Sequence, residues 1–340
     1  MLWVMKLQNF NFDLPQKFIA QYPLKNRDGA KLMIIERASG RIRHDVFANI
    51  GKYLPAQSAL VINDSKVIPA RLFGKREETG GKVEIFLLNR LSDGYSFQAM
   101  IRPLKKLKID EKIIFNGGSF YAQLSDAENK IVRFSRKDVL KHLDSFGHVP
   151  LPPYIKRPDE PLDREFYQTV YAKNLGSVAS PTAGLHFTKP LLASFKKNGH
   201  TIDRLTLHVN FATFKPVREE DITMHAMHSE SYQVSQKTWA ALRAAQSKKR
   251  KIVAVGTTSC RVLEAVSKNN VFKGETNIFI YPGYTFQMTD ALVTNFHLPF
   301  STLLILVCAF ASRDLIMRAY KEAIKEKYRF YSYGDGMLIL

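Results

Sequence analysis

Histidine, threonine and asparagine recur just past apolar runs in this chain, and those residue types carry proton transfer and polar recognition. Residues 176–188 read Gly-Ser-Val-Ala-Ser-Pro-Thr-Ala-Gly-Leu-His-Phe-Thr and include Pro181, Thr182 and His186. His208 and Thr213 follow a second apolar run, Thr257 and Thr258 a third, and Asn295 and His297 a fourth. A histidine titrates near neutrality and can act as general acid or base, while hydroxyls and amides hold a substrate's polar edges. The 176–188 loop runs into a helix-like stretch at 189–197, a junction that presents backbone N–H groups to a polar ligand. Turns use the same residues, so one such segment signals little. Strand ends of an open α/β sheet converge on a common edge where ligands bind, so four segments predict one polar cleft.

Other candidates stay open at this level. Asp64 leaves the apolar run 59–62 and reads equally as a binding group or a turn. His225 and His228 are three apart, with Glu230 nearby, and could share a helical face that binds a metal. No cysteine pair or second His-x-x-His completes such a site. His228 and Glu230 read otherwise as ligand contacts, an acid/base pair or structural hydrogen bonds. The basic run 248–251 suits either a helix C-terminus or a phosphate. G-x-x-x-x-G-K-[ST], a strand-linked G-x-G-x-x-G and G-x-S-x-G are all absent, so a phosphate loop, a standard dinucleotide site and an α/β-hydrolase are not signalled.

The elements that must position these groups fall into two textures. Apolar strands at 31–37, 59–62, 201–209, 252–255, 276–281 and 291–294 alternate with helices at 163–171, 189–197, 236–248 (capped by Ser235), 261–266, 303–311 (capped by Ser301) and 313–327. That alternation predicts a layered α/β domain. A short helix is also expected at 44–53 and another at 138–144. Between them lie six short strand candidates, 70–75, 82–91, 95–102, 111–115, 120–124 and 130–134, separated by Gly, Asn and Asp turns. Such strands predict an antiparallel barrel. The expected domains are 1–66 with 147–340, and an inserted barrel at 67–146. Three prolines within 150–153 make 147–157 a linker.

Composition bounds the partners. The 340 residues are 45% hydrophobic and 24% charged, a globular balance. Lys and Arg outnumber Asp and Glu 50 to 31, for a net charge of +19. That excess favours a polyanion, nucleic acid before an acidic membrane, unless it reflects a generally basic proteome. Cys260 and Cys308 are the only cysteines and form no C-x-x-C, so no disulfide framework is expected. The first ten residues are too polar for a signal peptide, and 303–311 is too short to span a bilayer. A reduced cytoplasmic protein is the expectation.

At this point residues 12–28, 63–72, 148–156, 176–188, 227–230, 254–259 with Arg261, 278–284, 290–304 and 328–339 closely resemble the family of S-adenosylmethionine:tRNA ribosyltransferase-isomerases. Strings such as Pro-Thr-Ala-Gly-Leu-His-Phe and Tyr-Pro-Gly-Tyr are long and specific to that family, and the matches run in order along nearly the whole chain. The resemblance implies a layered α/β domain with an inserted antiparallel β-barrel. It implies transfer of the ribosyl part of S-adenosylmethionine to 7-aminomethyl-7-deazaguanine at the tRNA anticodon wobble position. Rearrangement then gives epoxyqueuosine, with release of adenine and methionine. No metal, further cofactor, membrane or obligate protein partner is implied.

That chemistry needs a base for a C5′ proton acidified by the sulfonium, an acid for the departing adenine, and a group to receive the ammonium proton. On this reading His186, His228, His297 and Glu230 are catalytic. Asp64, Pro181, Thr182, His208, Thr213, Thr257, Thr258, Tyr281, Asp290 and Asn295 hold S-adenosylmethionine. Arg71, Arg102, Lys105, Arg261 and Tyr333 meet the RNA. The chain departs from the family pattern where Asn210 and Ala212 replace glycines and Phe300 replaces a lysine. Two other classes fit parts of the pattern: a non-catalytic tRNA-binding protein and an S-adenosylmethionine-dependent RNA methyltransferase. The retained His, Asp and Thr set speaks against the first, and the missing glycine-rich loop against the second.

Overall fold

The computed structural model describes residues 5–214 and 216–340. Its central sheet has nine strands in the order Lys273–Thr276, Glu230–Val234, Thr201–Leu207, Ala59–Asn63, Ile252–Val255, Ala291–Asn295, Gly336–Ile339, Lys31–Ile35, Ile42–Val46. Ala59–Asn63, Ile252–Val255, Ala291–Asn295 and Gly336–Ile339 are buried along their whole length. Continuous apolar runs of this kind belong to strands covered on both faces. Alternate side chains confirm the layering. Val61, Ala254 and Leu292 face the helices Gln236–Ser247, Thr257–Asn269, Thr302–Ala311 and Arg313–Lys325. Leu60, Ile62, Val253 and Val293 face Phe47, Ile50 and the helix Lys189–Lys197.

The strands Thr201–Leu207, Ala59–Asn63, Ile252–Val255 and Ala291–Asn295 run parallel. Gly336–Ile339 runs against Ala291–Asn295 and alongside Lys31–Ile35. The C-terminal ends of the four parallel strands therefore share one sheet edge with the start of Gly336–Ile339. The helix starts there are fixed locally: Ser301 Oγ accepts from Leu304 N at 3.1 Å and Thr188 Oγ1 from Leu191 N at 3.2 Å.

The second sheet is antiparallel and closes on itself. Arg71–Arg76, Lys82–Arg90, Ser96–Arg102, Ile131–Phe134, Phe120–Asp126 and Lys112–Phe115 follow one another, and the last pairs back to the first. Closure brings the first strand tight against the last. A Cβ on Gly74 would lie 2.6 Å from Ile113 Cγ2, so only glycine fits at the seam. The barrel has its own core of Leu72, Val83, Ile85, Leu87, Phe97, Phe115 and Val132. The fold is thus a layered α/β sheet with a closed antiparallel β-barrel.

Several local expectations change. The stretch at 44–53 is not a helix: Ile42–Val46 pairs with Lys31–Ile35 and only Phe47–Lys52 makes a 3₁₀ turn. Residues 138–144 form two short turns, Val139–Lys141 and Leu143–Phe146. The strand expected at 276–281 is Lys273–Thr276, paired with Glu230–Val234, and Ile278, Phe279 and Tyr281 pack on the core instead. The helix expected at 261–266 begins at Thr257. Among the described residues no helix is long and apolar enough to cross a membrane. Cys260 and Cys308 are free and buried.

Candidate active site

A cleft opens at the shared sheet edge. Strand Ile252–Val255 ends at Gly256, whose φ of 90° lets the chain turn directly into the helix Thr257–Asn269. No side chain caps that helix, so its first-turn amides stay available beside the cleft. Thr257, Thr258, Pro181 and Thr182 line it, and Phe296, Leu298, Leu303 and Tyr331 supply apolar surface. Counted with its open mouth, the cleft measures about 670 Å³. Two buried hydroxyls in it, Ser180 Oγ and Thr258 Oγ1, have no hydrogen-bond partner among the described residues. A buried hydroxyl left unpaired costs stability, so both are poised for a ligand.

His297 lines this cleft. Its imidazole Nε2 lies 2.8 Å from Thr294 Oγ1, and its backbone N–H donates to the Tyr320 hydroxyl at 2.9 Å. Burial pulls its pKa down to about 3, so the ring is neutral. His186 sits one layer behind. Asn295 Nδ2 donates to Tyr331 O at 2.8 Å, which leaves Asn295 Oδ1 as an acceptor. His186 Nε2 lies 3.3 Å from that oxygen and must carry the proton. Its ring packs at 4.7 Å from Phe47, and burial lowers its pKa to about 4. His186 opens instead onto a small hollow with Arg27 and Tyr333.

Thr213 is shared between the cleft and a second, more polar chamber. Glu230 lines this chamber and forms a buried ion pair with Arg261. Glu230 Oε1 also accepts from Asn210 N at 2.9 Å and Thr213 Oγ1 at 3.0 Å. His225 Nδ1 pairs with Glu219 Oε2 at 2.7 Å, and hydrogen bonds and His225 hold the Glu219 pKa down to about 2. His228 lies exposed on the rim. His225 and His228 do not share a helical face, because the chain is extended after the turn Ile222–Met224. Among the described residues no group of three or more metal-ligating side chains forms.

The remaining candidates are placed elsewhere. Asp64 and His208 line a separate hollow. There Asp64 Oδ1 accepts from Thr206 Oγ1 at 2.7 Å and Asn174 Nδ2 at 2.9 Å, while burial lowers the His208 pKa. Asp290 stands at the opposite end of its strand from Asn295, bonded to Lys251 Nζ at 3.0 Å and Ile252 N at 2.9 Å, so it does not reach the cleft. The Tyr281 ring meets that of Phe279 at a tilt, ring centres 5.3 Å apart. Two residues expected to meet RNA are buried: Arg261 in its ion pair, and Tyr333, whose hydroxyl donates to Asp163 Oδ1 at 2.7 Å. Neither presents a surface to a polynucleotide. Arg71, Arg102 and Lys105 lie on the barrel. Ser180, Thr294 and Ser332 line the cleft as well, and no motif in the sequence marks them. Ser180 adjoins Pro181 and Thr294 adjoins Asn295, so adjacency was their one signal.

Fold and cleft together define a layered α/β protein with a polar cleft at its sheet edge and a closed β-barrel attached. The family described as queuosine biosynthesis protein matches residues 7–339. A Sulfurihydrogenibium protein named S-adenosylmethionine:tRNA ribosyltransferase-isomerase is 49% identical over 337 residues, covering 99% of this chain and 100% of the relative. Its namesake from Clostridioides difficile is 46% identical, covering 98% and 100%. The crystal structure of an S-adenosylmethionine tRNA ribosyltransferase from Thermotoga maritima superposes with a TM-score of 0.57 at 36% identity, covering 98% of this chain and 100% of that one. The chain belongs to the queuosine biosynthesis protein family.

Proposed function

We propose that this chain is an S-adenosylmethionine:tRNA ribosyltransferase-isomerase. It moves the ribosyl group of S-adenosylmethionine onto a 7-aminomethyl-7-deazaguanine in the tRNA anticodon and rearranges it to epoxyqueuosine. The carrying observation is the pair of unpartnered hydroxyls, Ser180 and Thr258, beside an uncapped helix start and the neutral His297 in one cleft. The family match over residues 7–339 supports the reading. Unpaired hydroxyls suit ribose, the helix start suits the methionine carboxylate, and the apolar wall suits adenine.

In this arrangement His297, neutral and lining the cleft, borders the position where the sulfonium-acidified C5′ proton leaves. His186 is a positioning residue that holds Asn295. The polar chamber across Thr213 receives the aminomethyl base, whose ammonium faces the ionised Glu219. Glu230 is an anchor, because both of its oxygens are already engaged by Arg261, Thr213 and Asn210 N. The reaction needs no metal, since the sulfonium itself activates the ribosyl group, and it runs in the cytoplasm.

The test is incubation of the protein with S-adenosylmethionine labelled separately in adenine, ribose and methyl, plus tRNA carrying the aminomethyl precursor. Release of free adenine with RNA-bound ribosyl label is the expected result. Methyl label on the RNA would mark a methyltransferase instead, and binding without adenine release a non-catalytic protein.

A further inference from the structure

The outer face of the barrel carries a feature that stability alone does not favour. Along Arg71–Arg76 the side chains of Phe73 and Lys75 point outward, and half of the Phe73 surface is exposed, at 50%. Lys75 lies directly opposite Lys82 on the neighbouring strand, and like charges in that position repel. Phe73 lies opposite Glu84, which in turn lies opposite Arg102. Glu84 is engaged by Arg71, Nε to Oε1 at 2.7 Å. Among the described residues no carboxylate pairs with Lys75, Lys82 or Arg102. Exposed Lys105 and Lys106 follow on the next turn.

The ring is held in place from behind. Arg71 lies over Phe73 at 5.1 Å, and His148 meets its edge at 5.0 Å between ring centres. A propped, exposed aromatic among unpaired cations is the arrangement that stacks an unpaired base and takes up neighbouring phosphates. The face also leads to the cleft. Phe86 lies opposite Arg71, one outward row from Phe73 and so roughly 7 Å along the strand. Its ring meets Phe211 at 4.8 Å, at the start of the turn that carries Thr213.

We infer that this barrel face, centred on Phe73, Lys75, Lys82 and Arg102, docks the RNA substrate, with Phe73 stacking on a splayed base and the cations on phosphates. The inference rests on the tRNA reading above and adds the surface. Phe86 and Phe211 couple the docked strand to the turn between the two chambers.

Three full-length variants test it: Phe73→Ala, the double change Lys75→Gln with Lys82→Gln, and Arg102→Gln. Binding of an anticodon stem-loop RNA is followed by fluorescence anisotropy across a salt series, alongside thermal unfolding. Phe73→Ala is expected to weaken binding about tenfold. The double variant should weaken binding and reduce the salt slope by about one to two, while its unfolding temperature holds or rises because the repulsion is gone. Arg102→Gln should lower affinity and slope in the same direction. Wild-type affinity and slope in all three variants would overturn the inference. Adenine release by the wild-type protein is scored separately, so loss of the docking surface and loss of the proposed activity are told apart.

Discussion

Glu230 and Arg261 form an ion pair with only 3% and 4% of their side chains exposed, and Glu230 lines the polar chamber of the site. The pair ties strand Glu230–Val234 to helix Thr257–Asn269, and through Thr213 and Asn210 it also holds the turn that divides the chambers. One nitrogen of the guanidinium, Nη2, remains without a partner among the described residues. A buried charge stays tolerable only while its partner is present.

Arg261→Met should therefore be strongly destabilising, by about 3–5 kcal/mol, because it strands the Glu230 carboxylate. Pairing it with Glu230→Leu should restore most of that stability, since apolar replacement of a buried pair is often neutral. Turnover should stay low in the double variant, because the Asn210–Thr213 turn has lost its anchor. Urea unfolding and adenine release measure the two effects. A double variant with full turnover would remove the anchoring role.

The two buried histidines set an acid limb on stability. Burial depresses the folded pKa to about 4 for His186 and about 3 for His297, whereas an unfolded histidine titrates near ~6.5. Stability from both is complete above about pH 6.5 and falls as pH drops, because only the unfolded chain takes up the proton. Each adds a slope of about 1.4 kcal/mol per pH unit in that window. His297→Asn should flatten the urea midpoint between pH 6 and pH 4.5 by about one proton. An unchanged slope would mean that the ring is already charged in the native state.

Asn295→Asp should disturb the site in two ways. A carboxylate oxygen would replace the Nδ2 donor facing Tyr331 O, at a cost of about 1–3 kcal/mol. Its charge would also lie beside His186 and raise that pKa above its native value of about 4. An NMR titration of the His186 ring reads the shift directly, and a ring that still titrates near its native value would contradict the contact.

Thr258→Val removes a buried hydroxyl without changing the shape of the cleft. Because that hydroxyl is unpaired in the free protein, stability should hold or rise by up to about 1 kcal/mol. The KM for S-adenosylmethionine should rise about tenfold, with Ser180→Ala behaving alike. Unfolding midpoints and adenine-release kinetics check both, and an unchanged KM would exclude these hydroxyls from the ligand contact.

Much of the architecture was legible in local signals. The outward-polar, inward-apolar barrel strands sit between Gly and Asn turns, and Ser235 and Ser301 cap the helices where their spacing said they would. The fully apolar runs at Ala59–Asn63 and Ile252–Val255 could only be doubly covered strands. That the segments after Thr201–Leu207, Ile252–Val255 and Ala291–Asn295 meet at one edge follows from parallel strands sharing a direction, while residues 180–182 join them from a separate two-stranded pairing of Asn174–Ser177 with Ser65–Val67.

Which residue faces which space was decided by tertiary packing. His186 and His297 come from segments that look alike, yet one stands behind Asn295 and the other in the cleft, because strand pairing and the Phe47 packing set their depths. Arg261 and Tyr333 look like RNA contacts by type, but burial against Glu230 and Asp163 turned their polar groups inward. Asp290 and Asn295 are five residues apart in one extended segment and therefore end at opposite edges of the sheet. Strand Gly336–Ile339 gave no periodic signal, since it is buried on both faces and is completed only by Lys31–Ile35 and Ala291–Asn295. Residue type and spacing determined which groups this protein holds. Long-range strand pairing, invisible in any local window, determined which of them meet.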